Sequence, residues 1–198
     1  RSGTSLQESG LARVLIGLAL YNGAEHVAAQ LDSIAAQDHQ DWRLVVSDDG
    51  STDAGPQIVR EFAARFPDGQ VQLIAGPGKG ATRNFLSMLS LTEGDELLAW
   101  ADQDDVWRPE KLTKALVALQ ARPEAELYSA CTTICDAQLK PLAGSRRFKG
   151  PFDFRNALVQ AVTAGNTCVL TPTAIRLAQK AAPEAMKIGL ESHDWWLY

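Results

Sequence analysis

The fold is decided by residues 14–20, which read Val-Leu-Ile-Gly-Leu-Ala-Leu and lead into a Tyr-Asn-Gly turn at 21–23. A short apolar run that stops at a turn signal is typical of a buried strand. Val27, Leu31 and Ile34 follow at helical spacing within an alanine-rich segment, which predicts that a helix comes next. The chain is therefore expected to open with a strand followed by a helix.

The same alternation recurs three more times before residue 122. The pattern predicts strands at 42–47, 71–75 and 97–101, and helices at about 58–66, 85–89 and 112–119. Pro109 precedes the last of these helices, at a place that suits a first turn. Strands and helices that alternate along a chain are typical of an α/β domain with a mainly parallel sheet flanked by helices.

The remainder of the chain is less regular. It predicts a strand at 127–135, a mobile loop at 136–151, a helix at 156–162, a strand at 167–170 and a helix at 173–182. We expect residues 1–12 to be a flexible N-terminal segment and residues 13–198 to form a single domain. Because no glycine, proline or polar tail follows residues 195–198, we also expect this domain to be truncated at its C-terminus.

Composition and charge exclude some classes of function. The 198 residues include 45% hydrophobic and 22% charged side chains, which is ordinary for a globular protein that buries its core without disulfides. The 19 Lys and Arg residues and 24 Asp and Glu residues give a net charge of -5. With no basic stripe, the chain is not expected to bind nucleic acid, and an anionic substrate would need a local device such as a metal ion.

The cysteines and the apolar runs predict the cellular setting. Cys131, Cys135 and Cys168 are too few and too irregularly spaced for a disulfide framework, so we expect mostly buried thiols in a reducing compartment. The longest uncharged apolar stretch, residues 14–21, is far below the ~20 residues that a spanning helix needs. We therefore expect a cytoplasmic protein with no transmembrane segment.

Four segments with chemically useful side chains follow predicted strands. They are Ala19-Leu20-Tyr21, Asp48-Asp49, a glycine loop at 76–80 and an acidic stretch at 102–105. Ligands of open α/β sheets bind beyond the carboxyl ends of the strands. These segments are therefore expected to converge on one site.

The acidic stretch places Asp102, Asp104 and Asp105 within four positions. Three such carboxylates repel one another unless a cation neutralises them, and their hard oxygen atoms suit Mg²⁺ or Mn²⁺. An acidic surface turn before a helix is the alternative, because a carboxylate also favours a helix N-terminus. Asp105 is the residue for which that alternative is strongest.

The other two loops are compatible with a bound nucleotide. A carboxylate at Asp48 or Asp49 suits a nucleobase N–H or a ribose hydroxyl, although a turn with a helix cap has the same sequence pattern. The glycine loop matches neither a P-loop nor a dinucleotide fingerprint. It is either a flexible connection or a loop that brings backbone N–H groups, Lys79 and Arg83 close to a nucleotide.

Taken in order, these motifs resemble the inverting family-two glycosyltransferases with a GT-A fold. The resemblance rests on residues 21–23 after the first strand, 47–53 after the second, and 102–107, which is similar to the DxD element of that family. The His-Asp-Trp-Trp sequence at 193–196 resembles a motif of its rhamnosyltransferase-like members. The resemblance extends from about residue 13 to residue 198.

For the nucleotide, the resemblance implies contacts by the residues that match the family's base-binding motifs. Ala19 and Tyr21 would contact the nucleobase. Asp49 would bond the base, and Asp48 would support that region. Lys79 and Arg83 are further candidates for donor contacts.

For the chemistry, the resemblance implies separate metal and base groups. Asp102 would bind the ribose, the metal or both, and Asp104 would hold a divalent Mn²⁺ or Mg²⁺ against the pyrophosphate. Asp194 would be the catalytic base, and Trp195 would line the donor site. An alternative for Asp194 is that it only caps a C-terminal helix.

The substrates follow from the same resemblance. It implies a nucleoside diphosphate-sugar donor, with thymidine or uridine as the nucleoside and rhamnose or another hexose as the sugar. The acceptor would be a glycan or lipid-linked glycan in bacterial surface polysaccharide synthesis. The enzyme would then work in the cytoplasm, at the inner face of the plasma membrane.

Two other functions compete with this hypothesis. A sugar nucleotidyltransferase would have a glycine-rich basic loop directly after the first strand, unlike residues 21–25. A non-catalytic module that binds nucleotide-sugars or glycans is opposed by the presence of both Asp104 and Asp194. Binding measurements followed by a turnover assay separate the enzyme from the module.

Overall fold

The computed structural model describes residues 11–150, 152–159 and 161–198. Its strands are β1 (Val14–Leu20), β2 (Trp42–Asp48), β3 (Val71–Ala75), β4 (Leu97–Ala101), β5 (Leu127–Tyr128), β6 (Thr133–Cys135), β7 (Pro141–Gly144) and β8 (Val169–Leu170). Its α-helices are α1 (Val27–Ala35), α2 (Gly55–Ala63), α3 (Ala81–Met88), α4 (Lys111–Gln120), α5 (Phe154–Ala157), α6 (Pro172–Lys187) and α7 (His193–Leu197). Short 3-10 turns span Leu89–Leu91 and Gly165–Thr167. Residues 1–10 of the N-terminal segment that we expect to be flexible lie outside this description, and Leu11 packs against the core.

The main sheet has six strands in the order β3-β2-β1-β4-β8-β5. β1 lies between β2 and β4 and is parallel to both, with Val14 opposite Trp42 on one side and Leu97 on the other. β3 is parallel to β2, whereas β8 is antiparallel to its neighbours β4 and β5. The predicted α/β fold with a mainly parallel sheet is therefore confirmed.

Helices cover both faces of this sheet. Successive side chains of a strand point to opposite faces, so Ile16 of β1 joins one apolar cluster and Leu15 joins the other. The first cluster includes side chains from α1, α2 and α4, and the second includes side chains from α3 and α6. Because both faces are buried, the strands read as nearly continuous apolar runs rather than as alternating patterns.

The last third of the chain departs from the sequence-based expectation. The predicted strand at 127–135 is wrong, because β5 extends the main sheet while β6 pairs with β7 in a separate hairpin. The predicted loop at 136–151 contains β7, whose side chains are all exposed and therefore carry no burial pattern. The helix predicted at 156–162 is the four-residue α5, which ends at Ala157.

The last long helix, α6, is longer than predicted. It spans 16 residues, begins one residue earlier and continues through Pro183 to Lys187. Thr171 caps its N-terminus by accepting a hydrogen bond from the Ala174 N–H. Within the described residues, no helix combines the length and apolar character required to cross a bilayer.

All three cysteines carry free thiols, but the expectation that most of them are buried is wrong. Cys168 is buried in the core beneath α6, whereas Cys131 is exposed and Cys135 is half-buried. Burial of Cys168 raises the pKa of its thiol to about 12. That thiol is therefore protonated at neutral pH.

A buried ion pair ties β2 to the segment that leads into β4. The Arg43 guanidinium donates to both carboxylate oxygens of Glu96 at 2.7 Å, through Nε and Nη2. The two side chains are only 8% and 5% exposed. Glu96 also accepts the Glu93 N–H, so the pair fixes the turn before β4. Removal of Glu96 would leave the Arg43 charge buried without its bidentate partner, with the Leu91 carbonyl and the more distant Glu93 carboxylate, 3.9 Å away, as remaining partners.

Glu96→Ala is expected to lower the free energy of unfolding by about 3–5 kcal/mol, because the Arg43 charge loses its partner inside the protein. The matched control is Asp32→Ala, which breaks the exposed Asp32–Arg65 pair and should cost less than about 1 kcal/mol. Urea denaturation measures both values. Equal losses in the two variants would contradict the assignment.

Candidate functional site

A cleft of about 740 Å³ opens at the edge where the parallel strands end. The structure brings five of the predicted site residues to its walls: Ala19, Tyr21, Asp49, Asp102 and Asp104. They reach the cleft from the ends of β1, β2 and β4, as the strand order requires. The cleft also receives residues of the glycine loop and of α3.

Gln103 joins the end of β1 to the acidic stretch. Its side-chain oxygen accepts the Tyr21 N–H at 2.9 Å, and its side-chain nitrogen donates to the Tyr21 carbonyl at 3.1 Å. Gly23 lies so close that an added Cβ would stand 2.3 Å from the Gln103 Oε1. Gln103 lines the cleft but was missed by the sequence analysis, because its amide pairs only with backbone atoms 82 positions away.

Asp49 holds the glycine loop in a defined place. Its Oδ1 accepts the Gly78 N–H and its Oδ2 accepts the Gly80 N–H, each at 2.7 Å. Both glycines have positive φ values, 64° and 87°, which favour residues without a side chain. The loop is therefore anchored, which argues against a purely flexible connection.

Three predicted nucleotide contacts do not line the cleft. Asp48 accepts the Ser51 N–H at 3.0 Å and so stabilises a turn. Arg83 donates to the Met186 carbonyl of α6 at 3.1 Å, and Lys79 is exposed on the glycine loop. Asn84, from the same region of the chain, does line the cleft and is buried against Ser47.

The end of β4 carries a concentrated negative charge. Burial raises the pKa of Asp102 to about 6, and the nearby charges of Asp105, Asp104 and Asp194 add to the effect, whereas Lys111 opposes it. Asp105 is engaged elsewhere, since it accepts a hydrogen bond from the Asn166 side chain. The three clustered carboxylates of the acidic stretch therefore divide into two that line the cleft and one that does not.

The residues present fit a divalent cation only together with a ligand. Within residues 11–150, 152–159 and 161–198, no three His, Cys, Asp or Glu side chains are grouped to hold a metal ion. Mg²⁺ and similar ions are usually held by one or two carboxylates plus substrate phosphates. Asp102 and Asp104 supply such a pair of oxygen donors, and the neighbouring carboxylates, which add to the effect of burial on the pKa of Asp102, place negative charge around it.

Asp194 is fixed at the start of α7 by several donors. Its Oδ2 accepts the Gly165 N–H at 3.1 Å, and its Oδ1 accepts the Trp195 N–H at 2.8 Å and the hydroxyl of Ser192. Burial opposes ionisation, but the hydrogen bonds and the neighbouring His193 outweigh it and hold the pKa of Asp194 below its ordinary value. The carboxylate is therefore ionised at neutral pH. It does not line the main cleft, but its charge acts on Asp102.

His193 anchors α7 to the core. Its ring stacks on Phe85 at 4.2 Å between centroids and meets Trp100 edge-on at 4.8 Å. Burial lowers the pKa of His193 to about 4, so the imidazole is neutral at pH 7. Its Nε2 atom is buried without a hydrogen-bond partner among the described residues.

The two adjacent tryptophans face different surroundings. Trp195 is 44% exposed and donates from Nε1 to the Ala157 carbonyl at 2.6 Å. Trp196 packs against the apolar cluster beneath α6. Trp195 is therefore the more exposed of the pair, but it does not line the main cleft, and Trp196 lines a separate pocket.

Known proteins are similar in sequence to this chain over stretches of different length. Over 117 residues the chain is 37% identical to an uncharacterized protein of Mycobacterium tuberculosis. This aligned stretch covers 58% of this chain and 32% of that protein. Over 188 residues the chain is 27% identical to a dTDP-rhamnosyl transferase of Shigella flexneri. This longer alignment covers 91% of this chain and 63% of that protein. The chain thus spans only part of the length of these curated relatives.

The fold has solved counterparts. A mannosyltransferase of Pyrobaculum calidifontis, determined in complex with GDP-Man and Mn²⁺, superposes with a TM-score of 0.60 and 23% sequence identity. The superposition covers 92% of this chain and 48% of that one. This likeness supports the GT-A arrangement of the sheet and helices that the sequence predicted.

The family itself is identified by sequence. The family model described as Glycosyl transferase family 2 matches residues 16–174, which include the strands that form the cleft. The chain belongs to glycosyl transferase family 2.

Proposed function

We propose that this chain transfers a sugar from a nucleoside diphosphate-sugar to an acceptor hydroxyl, with inversion at the anomeric carbon. The observation that carries the proposal is the cleft itself, where Tyr21, Asp49, Asp102 and Asp104 meet at the ends of parallel strands. Asp194 lies outside this group, but its charge contributes to the raised pKa of Asp102. An inverting reaction needs this separation of the group that holds the leaving diphosphate from the group that removes a proton.

The donor and acceptor form the finer part of the proposal. The donor is a thymidine or uridine diphosphate-sugar carrying rhamnose or another hexose, supported by the His-Asp-Trp-Trp sequence and by the name of the Shigella relative. The acceptor is a glycan or lipid-linked glycan of a bacterial surface polysaccharide. The reaction would then take place in the cytoplasm, at the inner face of the plasma membrane.

The chemistry requires stabilisation of charge at two places. The sugar passes through an oxocarbenium-like transition state, and a single displacement needs no covalent nucleophile. Asp102 and Asp104 would hold a divalent ion, which would supply Lewis-acid stabilisation of the leaving nucleoside diphosphate. Asp194, whose pKa stays below its ordinary value, accepts the proton of the acceptor hydroxyl.

Binding of uridine or thymidine diphosphate is expected to require Mn²⁺ or Mg²⁺, and Asp104→Asn should weaken it about 10- to 100-fold with an unchanged melting temperature. Binding should also weaken as the pH falls from 7 to 5, since protonation of Asp102, whose pKa is raised to about 6, removes a cation ligand. Titration calorimetry measures both effects. Affinity that persists in excess chelator would refute metal dependence.

Asp49→Ala should reduce affinity for uridine diphosphate by about 10- to 100-fold, because the carboxylate accepts the imino N–H of the base. Cytosine lacks that N–H, so affinity for cytidine diphosphate should change little and the preference should flatten. The variant also releases Gly78 and Gly80 from Asp49. An equal loss for both nucleotides would assign the effect to the glycine loop instead of the base.

Asp194→Asn should lower turnover ~10²–10⁴-fold, because the amide cannot accept the proton. Nucleoside diphosphate affinity should remain, and stability should fall by no more than about 1 kcal/mol, because Ser192 and not Asp194 is the N-cap of α7. Turnover is followed as Mn²⁺-dependent release of dTDP from dTDP-rhamnose, with and without glycan acceptors. A near-normal rate in the variant would exclude Asp194 as the base, and binding without any turnover in the unmutated protein would favour a binding module.

A further inference from the structure

The Gly165–Thr167 turn lies between the acidic stretch and the start of α7. On one side, the Gly165 N–H donates to Oδ2 of Asp194. On the other side, the turn is held by two residues that come from the segment after β4, namely Asp105 and Lys111. The turn therefore connects the proposed base to the part of the chain that carries the proposed metal ligands.

Gly165 allows α7 to approach closely. A Cβ added at Gly165 would lie 2.4 Å from Nε2 of His193 and 3.3 Å from Cβ of Asp194. Any side chain at this position would push the helix and its carboxylate away. The distance from the turn to Asp194 is thus set by contact of the Gly165 backbone with the side chains of His193 and Asp194, and a shift of the turn moves the N–H group from which Asp194 accepts a hydrogen bond.

Lys111 and Asp105 both form hydrogen bonds with Asn166, the residue next to Gly165. The Lys111 ammonium donates to the Asn166 carbonyl at 2.5 Å and lies 3.5 Å from the centroid of the Trp107 ring, within the range of a cation–π contact. Asp105 accepts a hydrogen bond from the Asn166 side-chain nitrogen. The backbone and the side chain of Asn166 are therefore each held by a hydrogen bond, one from Lys111, whose pKa burial lowers to about 7, and one to the carboxylate of Asp105.

We propose that Asp105 and Lys111 are positioning residues that hold the Gly165–Thr167 turn where the Gly165 N–H orients the carboxylate of Asp194. Asp105, the third carboxylate of the acidic stretch, then serves the base and not the metal. The inference rests on the proposed function, in which Asp194 takes the acceptor proton. It adds a physical link between the two halves of the reaction.

Two variants at one position separate the hydrogen bond from the charge. Asp105→Ala and Asp105→Asn both remove the negative charge, but the asparagine keeps an oxygen that accepts from Asn166. Misplacement of a catalytic group by about 1 Å costs ~10²-fold, so Asp105→Ala should lower the kcat for dTDP-rhamnose turnover by that factor. The KM for the donor should stay within about threefold, and Asp105→Asn should retain most of the activity.

Hydrogen exchange of the Gly165 amide provides a readout without substrate or metal. Loss of the hydrogen bond between Asp105 and Asn166 should expose the Gly165 N–H. Its exchange should therefore become at least about tenfold faster in Asp105→Ala and remain slow in Asp105→Asn. Lys111→Met, which removes the ammonium and keeps the chain length, should behave like Asp105→Ala and serves if that variant does not fold. Glu110→Gln is the control, because Glu110 forms an exposed ion pair with Lys114 at the start of α4.

The outcomes distinguish this inference from the proposed function. Unchanged exchange of Gly165 in Asp105→Ala would overturn the inference, as would full turnover despite fast exchange. A loss of metal-dependent dTDP affinity in Asp105→Asn as large as that in Asp104→Asn would make Asp105 a metal ligand. If the unmutated protein turns over no donor, the proposed function fails, yet the exchange result still decides whether Asp105 and Lys111 hold the turn.

Discussion

The pairing of β1 with a parallel neighbour on each side is the constraint on which the remaining structure depends. A strand that is hydrogen-bonded on both edges and covered on both faces cannot shift its register without losing many bonds and exposing its side chains. The parallel direction brings the carboxyl ends of β1, β2 and β4 to the same edge. The polar residues that follow each strand must therefore meet there, and the cleft is a consequence of the strand order.

This constraint explains why the sequence predicted some features and not others. Residues 14–121 follow a simple rule, since buried strands are continuous apolar runs and the apolar residues of the helices between them repeat every three to four positions. The end of each strand then identifies Tyr21, Asp49, Asp102 and Asp104 as neighbours. Strands of two or three residues, such as β5 and β6, carry too little burial to leave a pattern.

Contacts between distant residues account for what the sequence did not predict. Gln103 bonds the backbone of Tyr21 across 82 positions, and Asn166 bonds Asp105 across 61. No local spacing encodes such a pair, because each member looks like an ordinary loop residue. The same holds for Arg83, which was a candidate nucleotide contact by sequence but donates to the backbone of α6.

The anchoring of the glycine loop by Asp49 makes two properties of the protein inseparable. Both carboxylate oxygens already accept loop N–H groups, and each retains a further lone pair for a base. If a nucleobase shares this carboxylate, loop order and base affinity are thermodynamically linked, and each must change the other by the same factor. Loop residues that never touch the nucleotide then tune the apparent dissociation constant through the fraction of molecules with an ordered loop. Relatives with the same base-binding residues but different loops can therefore differ in donor affinity.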